Sequence, residues 1–332
     1  MLEKTMKQIL TKKIKAWKAT IEDTEIQRII DKDLIVTGGC FTSMILNEAP
    51  KDYDCYFRTK ESVLKVANYY VDKWNEEHGK KKNGAGYHSK VFVVDGDNPS
   101  QEVLEYFHVE DPNESRAVMM SNIQKGRVKI IYPSDGVVGD PEEIHASEEL
   151  GTAVENIGEI DEVKADEILE KEKKEYFPVF ISSNAITLSN GVQIVVRFYG
   201  EPSDIHDTYD FEHTKAYYDN KAKEVVIPKE VYEMVINKTL RYSGSRYPVC
   251  SLFRLRKFIN RGWKINAGQI LKIAMQVSEL NLMDINVLED QLIGVDSLYF
   301  MNLIHQFRKQ KEKSPDFELT PNYIISIIDK IF

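Results

Sequence analysis

The sequence predicts an α+β fold: a mixed sheet with helices over residues 1–227, interrupted by an acidic insertion around 134–175, then an all-α domain over 228–332. Two observations carry this prediction. The first is a run in which an apolar strand, Ile35-Val36-Thr37, leads through Gly38-Gly39 into a short helical stretch. A second strand, Tyr53-Asp54-Cys55-Tyr56-Phe57, follows after a turn at Pro50. The second observation is a change of period at Pro228, after which apolar residues recur at helical spacing to the end of the chain.

Residues 3 to 30 read as one or two amphipathic helices, because Met6, Ile9, Leu10, Ile14 and Trp17 fall on one stripe with lysines between them. A further helix is expected over Lys60 to His78, with Val63, Val66, Ala67, Tyr70, Val71 and Trp74 facing inward. Val91 to Val94 and Arg127 to Tyr132 have the β-branched composition of strands. The Lys80 to Gly86 stretch reads as a solvated basic loop. Pro178 to Ile181 is a strand, and Ala185 to Phe198 is a hairpin turning at Asn190-Gly191. Thr208 to Tyr217 alternates as another strand, with Tyr209, Phe211 and His213 on one face and Asp210 and Glu212 on the other. Beyond Pro228, helices are marked by Val231, Val235 and Leu240, by Leu252, Leu255, Phe258 and Ile259, by Ile270, Ile273, Ala274, Val277 and Leu280, and by Tyr299 to Phe307.

A chain of 332 residues with 42% hydrophobic content can bury a core in each of two domains. No apolar run approaches the roughly 18–20 residues that span a membrane, and no signal-peptide core follows Met1, so a cytoplasmic protein without a membrane partner is expected. Cys40, Cys55 and Cys250 are too few and too scattered for a disulfide framework or a zinc site. The net charge of -9 conceals a segregation. Asp140 to Glu175 holds fourteen acids against four lysines, whereas Lys238 to Lys264 holds eight Lys/Arg and no acid. The basic block can meet phosphates despite the sign of the sum.

Strand side chains alternate, so Asp52 and Asp54 are expected on one face while Tyr53 and Cys55 point the other way. Two carboxylates held together disfavour each other's ionisation unless a cation lies between them. Oxygen ligands select a hard ion, Mg2+ above all, with Mn2+ as a substitute. Gly38 and Gly39 let backbone amides approach an anion with no Cβ in the way.

At these residues the chain resembles the polymerase-β-type nucleotidyltransferase superfamily, whose head motif is Gly-Gly, a spacer, then Asp-x-Asp. Twelve residues, Cys40 to Lys51, form the spacer here. Cys40 stands where the family commonly has Ser, and Ser43 is a substitute hydroxyl. The resemblance implies a third carboxylate on a neighbouring strand. Asp210, in a Tyr-Asp-Phe context, matches it, with Glu212, Asp207 and Asp204 as fallbacks. His206 and His213 are read as ordinary polar or packed residues.

An α/β head followed by helices is also the layout of poly(A) polymerases and tRNA CCA-adding enzymes. Their neck helix is similar to Ser251-Leu252-Phe253-Arg254-Leu255-Arg256-Lys257-Phe258, followed by Gly262-Trp263. Their base-reading Glu-Asp-x-x-Arg is absent, since Ile293 follows Glu289-Asp290 where Arg would stand. The order of elements further resembles nucleotidyltransferase-like proteins of tailed phages.

What the resemblance implies is transfer of a nucleoside monophosphate from an NTP to an acceptor hydroxyl, most simply an RNA 3′ end. Asp52, Asp54 and Asp210 would hold the metal and carry catalysis, and Asp210 would be the base. Gly38, Gly39, Ser43, Arg254 and Lys257 would bind the nucleotide. Nucleotidylation of a protein or small molecule, and non-catalytic nucleotide or RNA binding, are the alternatives.

Overall fold

The computed structural model describes residues 2–78, 90–94, 127–131, 175–181, 185–292, 307, 310, 313, 314 and 317–331. The expected basic loop and acidic insertion lie outside these residues, as does the helix expected from Tyr299 apart from Phe307. The chain divides into two compact units. The described residues within Met1–Val138, Asp166–Tyr209 and His213–Asn237 form the first, and those within Asp210–Glu212 and Lys238–Phe332 form the second.

The first unit opens with helices α1 (Glu3–Ala19) and α2 (Thr24–Asp33), the latter capped by the Asp23 side chain. Strand β1 (Leu34–Thr37) runs into α3 (Gly39–Ile45), and β2 (Tyr53–Phe57) leads to α4 (Lys60–His78). Strands β3 (Lys90–Val94) and β4 (Arg127–Ile131) pair antiparallel as a separate ribbon. Then follow β5 (Pro178–Ile181), β6 (Ala185–Leu188), β7 (Val192–Val195), α5 (Pro202–His206), β8 (Tyr217–Asp219), β9 (Glu224–Val226) and α6 (Lys229–Ile236).

The seven-stranded sheet has the order β5-β6-β7-β2-β1-β8-β9, and its β2–β7 pair is parallel while the other pairs are antiparallel. This is the expected α+β architecture. Register sorts the side chains into two faces. Leu34 and Val36 share one with Tyr53, Cys55, Phe57 and Tyr218, and here α1 and α4 close the core. Thr11 bonds Tyr218 at 3.1 Å, Lys13 lies over the Tyr53 ring, and buried Trp17 Nε1 donates to Tyr70 at 2.7 Å. On the other face Ile35, Tyr56 and Val195 form an apolar cluster with Ile205, joined by Phe198, Tyr209 and Tyr217.

The β6–β7 hairpin turns through Ser189–Gly191, where Asn190 and Gly191 both have positive φ. Gly191 is required twice over. Its φ is +70°, and a methyl group there would stand 2.4 Å from the Lys51 carbonyl, so the turn presses against the chain just before Asp52.

The strand expected over Thr208–Tyr217 does not form. Pro202 opens α5, and Glu201 with Asp204 makes a reciprocal capping box. Thr208 Oγ1 then donates to the Ile205 carbonyl at 2.6 Å, which curls the chain away from an extended path. Glu212–Thr214 is a 3-10 turn, and the strand beside β1 is the later Tyr217–Asp219. The alternation misled because Tyr209, Phe211 and His213 go to separate surroundings: Tyr209 to the sheet cluster, Phe211 to the rings of Tyr242 and Phe258, and His213 to a fully buried site.

In the second unit, α7 (Pro248–Asn260) stops at Gly262, whose φ is +80°. Helices α8 (Ala267–Ser278), α9 (Ile285–Leu292) and α10 (Pro321–Ile331) follow. Val249, Ile285, Leu288, Phe307, Leu319 and Ile327 make its core. Helical spacing placed the helices correctly, but Leu252, Ile259 and Ile270 on them are exposed. Tyr242 closes the other end, donating to Gln276 Oε1 at 2.5 Å while its backbone N–H donates to Gln269.

Two predictions follow from this packing. Gly191→Ala should lower stability by about 1–3 kcal/mol, read as a lower urea midpoint at unchanged slope. Burial is the main cause that pushes the Tyr242 hydroxyl up to about 12, with Asp210 adding to it and a hydrogen bond with Ser251 and Arg254 opposing it. The unfolded state therefore releases this proton first, near the ordinary tyrosine value of about 10. Its stabilising contribution is complete below about pH 10 and is lost as pH rises toward about 12. Absorbance at the phenolate band during alkaline titration should show Tyr242→Phe removing one late-ionising tyrosine.

Candidate functional site

The site grows from the end of β1. Thr37 is the last strand residue, and Gly38 follows with φ +91° and ψ -152°, a conformation that side chains rarely adopt. That kink sends the backbone directly into α3, a seven-residue helix starting at Gly39. Space also demands glycine here. A methyl on Gly38 would stand 2.5 Å from Asp54 Oδ2 and 3.5 Å from the Tyr209 hydroxyl. A methyl on Gly39 would meet nothing within 4 Å, so the outer side of the turn is open. Ser43, one turn along α3, is partly exposed.

Register fixes the opposite wall. Asp54 on β2 pairs with Thr37 on one side and with Gln193 of β7 on the other. Thr37 pairs in turn with Tyr217. Asp54 is half-buried, whereas Asp52, one residue before β2, is exposed. Gly38, Gly39, Ser43, Asp52 and Asp54 therefore belong to one unit and to the same strand–turn–helix–strand corner.

Cys40 and Cys55 are buried thiols on β2 and at the start of α3. Burial first, and the neighbouring Asp54 charge second, hold both far from ionisation. Neither is a nucleophile at neutral pH.

Sequence reasoning missed the polar groups beneath the carboxylate. Thr37 Oγ1 donates to the Ala216 carbonyl at 2.7 Å and lies 2.9 Å from His206 Nε2. A hydroxyl has one proton to give, so His206 donates from Nε2 and its tautomer is set. The His206 ring packs against Tyr209 and Tyr217, with centroids 5.3 and 5.7 Å away. His206 is packed, as the sequence suggested, yet it is packed into the site. The signal for Thr37 was available: it is the polar residue closing an otherwise apolar strand.

Asp210, Arg254 and Lys257 belong to the second unit. Asp210 lies in a bend just before the Phe211–Tyr242 bridge, not on a strand. It is buried, and Arg254 Nη1 donates to its Oδ2 at 2.7 Å. Lys257, one turn beyond Arg254 on α7, is exposed.

Among the described residues no three His, Cys, Asp or Glu side chains gather as a ligand group. The donor set at the Gly38 corner is the Asp52 and Asp54 carboxylates. That set fits magnesium, which keeps several waters and takes one or two carboxylates together with substrate phosphates.

A family model described as Gabija anti-defense 2 family protein matches residues 8–238, the whole stretch from α1 to the end of α6. The chain belongs to the Gabija anti-defense 2 family. A relative named Gabija anti-defense 2, from Bacillus phage SPbetaL7, is 22% identical over 124 residues, or 37% of this chain. The matched stretch is 30% of that relative's length.

Among solved structures, the apo form I of a CCA-adding enzyme is similar, with a TM-score of 0.36 and 10% identity over 95% of this chain and 55% of that one. A Thermotoga maritima CCA-adding enzyme complexed with tRNA scores 0.35 at 11% identity, over 94% of this chain and 58% of that one. The family match to Gabija anti-defense 2 contains every residue of the Gly38–Asp54 corner. No helix among the described residues is long and apolar enough to cross a membrane.

Proposed function

We propose that this chain serves counter-defence against the Gabija system through a metal-dependent nucleotidyltransferase head that moves a nucleoside monophosphate from an NTP to an acceptor hydroxyl. The observation that carries the reading is the close approach of Asp54 Oδ2 to Gly38, which seats a carboxylate against a glycine turn with an open outer side. The family supplies the biological setting, and the corner supplies the chemistry.

In this proposal Asp52 and Asp54 hold magnesium, which when bound neutralises triphosphate charge and polarises the reacting oxygens. The Gly38–Gly39 backbone and Ser43 orient the phosphates from the α3 side. The acceptor oxygen bonds to the α-phosphorus, the bond to the β-phosphate bridging oxygen breaks, and pyrophosphate leaves. The acceptor proton passes to a carboxylate of the site. An RNA 3′ end is the proposed acceptor, and a protein or small-molecule hydroxyl is the alternative within the same chemistry.

One observation favours a second reading. Asp210, the expected third ligand and base, already carries Arg254 across its carboxylate. A head lacking that third acid would bind NTP without transferring it, and counter-defence would rest on sequestration.

The test is expression of the full chain in Gabija-carrying bacteria challenged with a sensitive phage, alongside labelled NTPs in vitro. Plaquing should be restored by the natural chain and lost on joint Asp52→Ala and Asp54→Ala substitution, with label appearing on RNA. Label on protein alone would change the acceptor. Rescue that is indifferent to both aspartates would overturn the reading.

A further inference from the structure

The half-buried Asp54 carboxylate meets a second buried oxygen where it faces Gly38. The ring of Tyr209 is partly exposed, but its hydroxyl is buried, and it flanks the same methyl-sized space above Gly38 that Asp54 Oδ2 bounds. Several independent features hold it there. The capping box starts α5, and the Thr208 hydrogen bond to Ile205 turns the chain so that Tyr209 returns over the sheet. His206 packs against one side of the Tyr209 ring, and Tyr56 lies 6.2 Å away on the sheet. His206 is itself fixed through Thr37, the register partner of Asp54.

We propose that Tyr209 is a positioning residue for Asp54: its buried hydroxyl, set by the Thr37–His206 pair, orients the Asp54 carboxylate over Gly38 for a divalent cation. This rests on the metal-binding part of the function proposed above. The choice of side chain follows from charge. A carboxylate that must receive a cation cannot be oriented by an arginine without losing the charge it offers, which is the condition of Asp210 beside Arg254. A tyrosine hydroxyl offers a donor and adds no charge. Burial, then Tyr56, then Asp54 raise the Tyr209 ionisation well above the ordinary tyrosine value, so the group stays neutral. Groups that orient metal ligands from behind typically contribute about 10–100-fold to metal affinity.

The experiment measures Mn2+ binding to the full chain by electron paramagnetic resonance, with and without ATP, and ATP binding without metal by calorimetry. Natural chain should bind Mn2+, Asp54→Asn should not, and Tyr209→Phe should bind about 10–100-fold more weakly with its melting temperature and metal-free ATP affinity unchanged. Tyr209→Phe matching the natural chain while Asp54→Asn fails would overturn the inference and leave the functional reading standing. Natural chain that binds no Mn2+ would overturn both. Should Tyr209→Phe not fold, ring-labelled tyrosine in the natural chain decides: Mn2+ should broaden Tyr209 ahead of Tyr70 and Tyr218 on the other face, and equal broadening overturns the inference.

Discussion

The constraint on which this structure turns is the contact between a glycine and an aspartate. Gly38 must take a positive φ to carry β1 into α3, and it must lack a Cβ so that Asp54 can reach the turn. Nearly everything around the corner serves that approach. The register of β1 against β2 sets Thr37 beside Asp54, the Gly191 turn bears on the backbone leading into Asp52, and α5 returns Tyr209 over the same face. The opposite face, where Trp17, Tyr70 and Tyr218 are buried, supplies the apolar burial that keeps the sheet rigid enough to hold these positions.

The two units treat their acids differently. In the second, Asp210 is buried and tied to a guanidinium, an arrangement in which removing either partner leaves an uncompensated group. Around Asp54 the groups identified are neutral donors and backbone: Thr37, Tyr209, and the glycine turn. An acid neutralised within its own unit serves structure, whereas one dressed by neutral groups keeps its field for a ligand. That contrast is the physical basis for placing the chemistry at Gly38 and Asp54 and for treating Asp210 with reserve as a third ligand.

Much of this was legible in the sequence. The Gly-Gly turn, the paired aspartates, the α1 and α4 stripes and the Asn190-Gly191 hairpin each rest on a local rule with a single solution, a period or a φ requirement, and each appears where the rule puts it. The Thr208–Tyr217 segment failed because alternation is satisfied by any three buried side chains. Nothing local revealed that Pro202 and the Thr208 hydroxyl would curl the chain first. Thr37, His206 and Tyr209 stayed hidden because their role depends on register between β1 and β2 and on a helix about 170 positions further along, neither of which has a local signature. The exposed Leu252, Ile259 and Ile270 show that period assigns a helix without saying which side is covered.

Membership in the Gabija anti-defense 2 family gives the corner a setting in which its chemistry has consequences for a phage, and the matched residues run through all of it. The most direct measurement is the affinity of the full chain for Mg2+·ATP when Gly38 alone becomes alanine. The methyl group falls 2.5 Å from Asp54 Oδ2, so the carboxylate must leave its place. The account predicts that magnesium-dependent ATP binding weakens at least about tenfold while the far-ultraviolet spectrum is preserved. Gly38→Ala that folds and binds Mg2+·ATP as tightly as the natural chain would contradict it.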